Sequence, residues 1–97
     1  MTYRVEYIST FYADMLSAAV SLSEYPGKAS RIFKNIDKAL LNLVDMPEMY
    51  PVYHCIPSYR LIVIEDYLIL YKVKKPDGVV EVHRLVCGRM DIPSHVQ

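Results

Sequence analysis

The stretch "SYRLIVIEDYLILYKV", Ser58 to Val73, decides the fold of this chain because it predicts two adjacent, largely buried strands. It is apolar almost throughout, and the pair Glu65-Asp66 interrupts it. We expect these two residues to form a tight hairpin turn between strands at about 59–64 and 67–74. An arginine, Arg60, stands at the start of the first strand. A guanidinium in such a place needs a partner, because burying an unpaired charge is costly.

A second turn follows at once. Lys75-Pro76-Asp77-Gly78 combines the residues that favour turns, and a third strand is predicted after it at about 79–87. Gly88 is expected to mark a bulge or the strand end. Three consecutive strands joined by short turns predict an antiparallel meander.

Turns of fixed length set the register of the three strands. The predicted pairs are Ile64–Tyr67, Ile62–Ile69, Arg60–Tyr71, Lys74–Val79, Lys72–Glu81, Tyr71–Val82 and Ile69–Arg84. One face then carries Arg60, Ile62, Ile64, Tyr67, Ile69, Tyr71, Val73, Val80, Val82, Arg84 and Val86, and the other carries Tyr59, Leu61, Val63, Leu68, Leu70, Lys72, Glu81, His83, Leu85 and Cys87. We expect the first face to lie toward the helices, because it is the more apolar.

Upstream of the strand pair the pattern changes twice. Tyr3 to Ile8 alternates like a half-buried strand, and "STFYADMLSAAVSLSEY" then shows helical spacing, with Ser9 or Thr10 available as a cap. A second helix carries one apolar stripe from Ala29 to Val44 and ends before Pro47. The segment 46–58 contains three prolines and predicts an irregular connection or broken edge strand.

The resulting element order is βααβββ. It predicts an α+β fold in which an N-terminal strand and a helical hairpin pack on a mainly antiparallel four-stranded sheet. A length of 97 residues suits one domain, 1–97.

Composition excludes some functions. Lys plus Arg equals Asp plus Glu at 11 each, so a nucleic-acid-binding function based on basic excess is disfavoured. Cys55 and Cys87 have no metal-binding spacing and are expected to be reduced packing thiols. We expect no metal and no organic cofactor. No apolar run approaches a membrane span and no signal peptide is recognisable, so the expected location is the cytoplasm, without membrane association.

The predicted faces place two functional candidates together. Arg60 and Arg84 share a face with one strand between them, and each either binds a target or braces the sheet through a nearby carboxylate or carbonyl group. On the opposite face, an apolar patch typical of a partner surface is predicted. It consists of Leu61, Val63, Leu68, Leu70 and Leu85.

These residues resemble a known group. The hallmarks are Tyr59-Arg60 at the start of a strand, Tyr67 to Ile69 after a tight turn, Gly78 to Glu81 opening the last strand, and Gly88 to Ile92 closing it. Together with the βααβββ order over the whole chain, they resemble the RelE/ParE superfamily of bacterial type II toxin–antitoxin toxins.

The resemblance implies a growth-inhibiting toxin that a cognate antitoxin neutralises by covering its surface. RelE-like members cleave mRNA on the ribosome without a metal, whereas ParE-like members inhibit DNA gyrase and are not nucleases. A non-toxic binding module on the same fold is the third alternative. The resemblance leaves two questions open: whether the chain is an enzyme, and whether it forms a homodimer.

Residue by residue, the nuclease set of the superfamily is incomplete. Arg60 falls on a functional arginine, but the expected lysine pair falls on Pro51 and Tyr53. The arginine that RelE-like members have just after the closing glycine falls on Met90, with Arg89 beside it. The C-terminal tyrosine that they often have is missing, although His95 lies in the tail.

The candidate catalytic residues are Arg60, Arg89, His83 and His54, the histidines because they can act as acid or base near neutral pH. Arg84 joins the apolar patch as a candidate target- or partner-binding residue. The incomplete nuclease set and the balanced charge favour the ParE-like branch.

Overall fold

A computed structural model of the chain describes residues 2–87 as two helices and four strands. The elements are β1 (Arg4–Tyr7), α1 (Ser9–Ser21), α2 (Pro26–Asp45), β2 (Arg60–Ile64), β3 (Tyr67–Lys74) and β4 (Val79–Cys87), with a 3-10 turn at Lys75–Asp77. The predicted βααβββ order is confirmed. Gly88, Arg89 and His95, which the sequence analysis named, lie outside the described residues.

The four strands form one sheet in the order β1-β4-β3-β2. The β2–β3 and β3–β4 pairs are antiparallel, and β1 lies parallel to β4 with Arg4 opposite Val79. The predicted α+β class, with a mainly antiparallel sheet, is therefore confirmed. Among residues 2–87, the first strand lies beside the last, so the sheet brings together parts that are distant in sequence.

The hairpin between β2 and β3 has the predicted register, with Ile64 opposite Tyr67 and Arg60 opposite Tyr71. Its turn is tight enough to force Glu65 to a φ of 52°, a left-handed conformation that costs free energy in a residue with a side chain. Arg31 of α2 binds the Glu65 carboxylate through Nε at 2.8 Å and Nη2 at 2.9 Å. The turn is thus tied to α2.

The β3–β4 register is as predicted only from Lys74–Val79 to Tyr71–Val82. Beyond that point Arg84 lies opposite Leu70, and Ile69 lies opposite Leu85. The predicted Ile69–Arg84 pair is wrong because His83 is an extra residue in β4, which forms a β-bulge. The bulge reverses the facing of every later residue in the strand.

The helix-side face holds the main core, and it corrects the predicted faces of β4. Leu85 joins the cluster formed with both helices, whereas Val86 packs with Tyr59 and Leu70 on the opposite, open face. Both were predicted the other way round. Leu70 is fully buried on the open face, and the largest fully buried side chains of the helix-side core are Tyr71, Ile32, Ile36, Leu43, Ile62, Ile69, Val80 and Val82.

Both helices pack on the sheet through the apolar residues of their inner faces. The same core cluster receives Phe11 and Ala18 from α1, Leu22 from the residue that ends it, and Ile32, Ile36, Ala39, Leu40 and Leu43 from α2, as their spacing predicted. The predicted cap is wrong, because Ile8 is the N-cap of α1 and the Thr10 hydroxyl donates to His83 of β4 instead. Within residues 2–87, no helix has the length and apolar content needed to cross a membrane.

The segment 46–58 is the irregular connection that its prolines predicted. A single antiparallel bridge joins Val52 to Arg60, and the Leu61 N–H donates to the Pro51 carbonyl at 3.0 Å. Tyr53 and Ile56 then fold over Leu70, so this connection covers part of the open face of the sheet.

Candidate functional site

Arg60 begins β2, and its guanidinium is directed into the connection that precedes the strand. Its Nη1 donates to the Tyr50 carbonyl at 2.7 Å and to the Glu48 carbonyl at 3.3 Å, and its Nη2 lies 3.3 Å from the Glu48 carboxylate. The side chain is 22% exposed. It therefore has partners for its charge and binds two backbone carbonyls that no regular strand would satisfy.

Tyr71 supports the same connection from the neighbouring strand. Its hydroxyl donates to the Pro47 carbonyl at 2.7 Å, and its ring meets Tyr50 edge-on at 6.3 Å between centroids. Burial raises the pKa of Tyr71 to about 12. Arg60 and Tyr71, opposite each other in the sheet, together anchor the segment that leads from α2 to β2.

A cleft of about 320 Å³ lies beside Arg60 and is lined by Glu48, Ser58 and Lys75 among others. Lys75 Nζ is 3.1 Å from the Glu48 carboxylate, which thus lies between two cations. Arg60 thus lines a cleft, but its hydrogen bonds go to Glu48 and Tyr50 of the same chain.

Arg84, the second candidate arginine, forms an ion pair with Asp14 of α1. The Arg84 Nε and Nη2 lie 2.6 Å and 3.1 Å from the two carboxylate oxygens. The side chains are 22% and 17% exposed, and the hydrogen bond to Asp14 raises the pKa of Arg84. Arg84 does not share a face with Arg60, because the bulge at His83 turns it away.

Asp14 also serves the backbone of β4. Its Oδ2 accepts the Leu85 N–H at 3.0 Å, and the Thr10 hydroxyl donates to the His83 carbonyl at 2.7 Å. β1 pairs with β4 only as far as Val82, so these α1 side chains take the place of a strand along the next part of the edge. Sequence reasoning missed Asp14. The sequence signal for Asp14 was weak: it is a carboxylate next to the apolar stripe with which α1 faces the core.

His83 is part of a hydrogen-bonded chain on the open face. Its Nε2 is 3.1 Å from the Glu81 carboxylate, and its Nδ1 is 3.4 Å from the Tyr59 hydroxyl. The hydrogen bond from His83 lowers the pKa of Glu81, and desolvation raises the pKa of Tyr59. A carboxylate thus orients an imidazole whose second nitrogen faces a phenol, an arrangement able to move a proton.

Two lysines flank this chain of groups. Lys72 lies opposite Glu81, as predicted, but its Nζ is placed over the Tyr59 ring, 4.7 Å from the centroid. Lys74 instead binds Glu81, with Nζ 3.2 Å from the carboxylate. Lys72 is therefore the register partner of Glu81, whereas Lys74 is its charge partner.

The remaining catalytic candidates are apart from these groups. His54 is exposed in the connection, with its ring 6.2 Å from that of Tyr53. Arg89 lies outside the described residues. Cys55 and Cys87 are both free, but Cys55 is exposed, so its predicted packing role is wrong.

The predicted apolar patch is only partly exposed. Leu70 is fully buried beneath Tyr53 and Ile56, and Leu85 faces the helices because of the bulge. Leu61 and Leu68 are half-buried, and Val63 is 63% exposed. The apolar surface that remains lies on the β2 side of the open face.

Comparison with known protein families identifies the family of this chain. Residues 9–92 match the family model described as "ParE toxin of type II toxin-antitoxin system, parDE". The chain belongs to the ParE toxin family. A search of curated proteins found no match. The sequence resemblance to the RelE/ParE superfamily is thereby confirmed, and the chain is a toxin-type component of a toxin–antitoxin system with a cognate antitoxin as partner.

The part of the chain that matches the ParE family includes the candidate site. The match runs from the start of α1 past the end of β4, so it includes Arg60, Arg84 and the Glu81–His83–Tyr59 chain. The groups that the fold brings together are therefore elements of the ParE-like unit itself.

Proposed function

We propose that this ParE-family toxin arrests growth by inhibiting DNA gyrase in the cytoplasm, until its antitoxin covers it. The family match over residues 9–92 is the observation that carries the proposal. Inhibition of a protein target requires a binding surface and no assembled nucleolytic centre.

The state of the two arginines supports a protein target. A nuclease needs cations free to stabilise the developing charge on phosphate. Arg60 donates to the carbonyls of Glu48 and Tyr50, and Arg84 is paired with Asp14. Equal numbers of acidic and basic residues also give no general attraction to RNA.

The antitoxin is proposed to contact the open face of the sheet near its β2 edge. Leu61, Leu68 and the exposed Val63 provide apolar surface there, beside a strand edge that the connection covers only at its start. An extended or helical antitoxin segment fits such a surface. Val63→Glu is expected to weaken antitoxin binding while leaving toxicity in place, measured by co-expression and by titration calorimetry.

A supercoiling assay tests the gyrase proposal. Purified protein is added to gyrase and relaxed plasmid, with and without the antitoxin. We expect loss of supercoiling that the antitoxin restores, together with a DNA-damage response on induction in cells. Supercoiling that persists at large molar excess of folded protein contradicts the proposal.

One observation favours a second candidate, a ribosome-dependent mRNA endonuclease. His83, oriented by Glu81, is a potential acid–base group on the open face, and Arg60 lies in a cleft. This function predicts cut transcripts on programmed ribosomes, with cutting abolished by His83→Gln or Arg60→Ala in proteins that remain folded. Intact transcripts exclude it, and absence of any growth arrest on induction supports the non-toxic module instead.

A further inference from the structure

The outer face of α1 is apolar although no other part of residues 2–87 covers it. Tyr12, Leu16 and Val20 are 57%, 71% and 74% exposed and follow one another at four-residue spacing. The only charged residue between Ser9 and Ser21 is Asp14, which is bound to Arg84 and Leu85. A surface helix normally turns a charged face to water, and a helix that is apolar on both sides is normally covered on both.

The residues of this face repeat symmetrically about Leu16. Counting outward in both directions, the exposed helical residues at equal distances of three and four positions form the pairs Ala13 and Ala19, and Tyr12 and Val20. At 100° per residue, all of them lie within about 60° of Leu16 around the helix axis. They also follow the spacing of three and four residues that antiparallel helix pairs use.

We propose that the outer face of α1, defined as Tyr12, Ala13, Leu16, Ala19 and Val20, binds the same face of a second copy of this chain. The two helices run antiparallel about a two-fold axis through Leu16. This symmetry places large Tyr12 against smaller Val20 and small Ala13 against Ala19, while Leu16 meets its own copy. A two-fold interface needs a self-complementary surface, and this one has no charge to repel its copy.

Sedimentation equilibrium of the purified full chain tests the assignment. A contact formed mainly by one helix pair is small, so we expect reversible dimers with a dissociation constant on the order of tens of micromolar. Leu16→Glu sets two carboxylates at the axis and is expected to weaken dimerisation by about tenfold or more. Leu41→Glu on α2 is the matched control, because Leu41 is 70% exposed and lies outside this face.

A pair of double variants tests the antiparallel arrangement. Ala13→Lys with Ala19→Glu brings opposite charges together across the axis, whereas Ala13→Lys with Ala19→Lys brings like charges together. Positions six residues apart do not face each other within one helix, so each effect arises between copies. We expect dimers from the first variant and monomers from the second.

Several outcomes overturn the proposal. A wild-type chain that stays monomeric up to hundreds of micromolar rejects self-association. Equal dimerisation of Leu16→Glu and wild type rejects α1 as the interface, and equal behaviour of the two double variants rejects the two-fold register. The chain could also stay monomeric while Leu16→Glu weakens only its binding to the antitoxin. That result rejects a second copy as the partner of this face. Unfolding midpoints near that of the wild type confirm that each variant is folded.

Discussion

Replacing Asp14 by alanine tests how strongly α1 is fastened to β4. The substitution removes the acceptor of two bonds from Arg84 and one from the Leu85 N–H. It leaves the guanidinium and one backbone donor without these bonds at a site where the two side chains are 22% and 17% exposed. Hydrogen bonds to charged groups contribute about 1.5–3 kcal/mol, and breaking a fully buried pair costs about 3–5 kcal/mol.

Because this pair retains some contact with water, we expect a cost below that of breaking a fully buried pair. The free energy of unfolding should fall by about 2–3 kcal/mol, which lowers the midpoint of thermal unfolding by roughly 10–20 °C in a domain of this size. Asp14→Asn keeps an acceptor for the Leu85 N–H and should lose about half as much. Urea unfolding at neutral pH measures all three proteins.

Two controls separate this explanation from a general effect of the substitution. Asp45→Ala removes an exposed carboxylate at the C-terminal end of α2 and should change stability little, or raise it slightly. A double-mutant cycle with Arg84→Met should give a coupling energy of about 1–2 kcal/mol. A loss below about 0.5 kcal/mol for Asp14→Ala, or a coupling energy near zero, refutes the reasoning.

Three further predictions concern single side chains. Tyr71→Phe removes the bond to the Pro47 carbonyl and should cost about 1–2 kcal/mol in urea unfolding; no loss shows that the bond is unimportant. Leu85→Ala should cost about 2–5 kcal/mol, as expected for a core leucine, and a loss below about 1 kcal/mol contradicts the register after the bulge. The lowered pKa of Glu81 stabilises the fold above its ordinary value of 4.5, and this stability is lost as pH falls through the folded value. Glu81→Gln should therefore flatten the acid limb of stability against pH, while an unchanged limb contradicts the lowered pKa of Glu81.

The sequence predicted the β2–β3 hairpin correctly because a two-residue turn leaves little freedom of register. Once Glu65-Asp66 is the turn, Arg60 must lie opposite Tyr71, and it does. The bulge at His83 could not be seen in the same way. Leu85 and Val86 are both apolar and both buried, so alternation gives no sign of which one faces the helices.

The candidate site was harder to predict, since its contacts join segments without periodic patterns. Arg60 was recognised as needing a partner, but Glu48 and Tyr50 lie in an irregular connection whose path no periodicity describes. Asp14 and Arg84 are 70 positions apart, and nothing local links them. Charge pairs of this kind follow from the complete fold and not from either segment.

The parallel pairing of β1 with β4 bears on how the protein is made. Synthesis proceeds from the N-terminus, and domains fold as their parts become available. β1 and the first turns of α1 have their strand partners in β4, with contacts such as Thr10–His83 spanning 73 positions. Among the described elements β4 is synthesised last, and such long-range pairing is slow. The four-stranded sheet therefore cannot be completed until β4 has been synthesised, although β1 and α1 are made first.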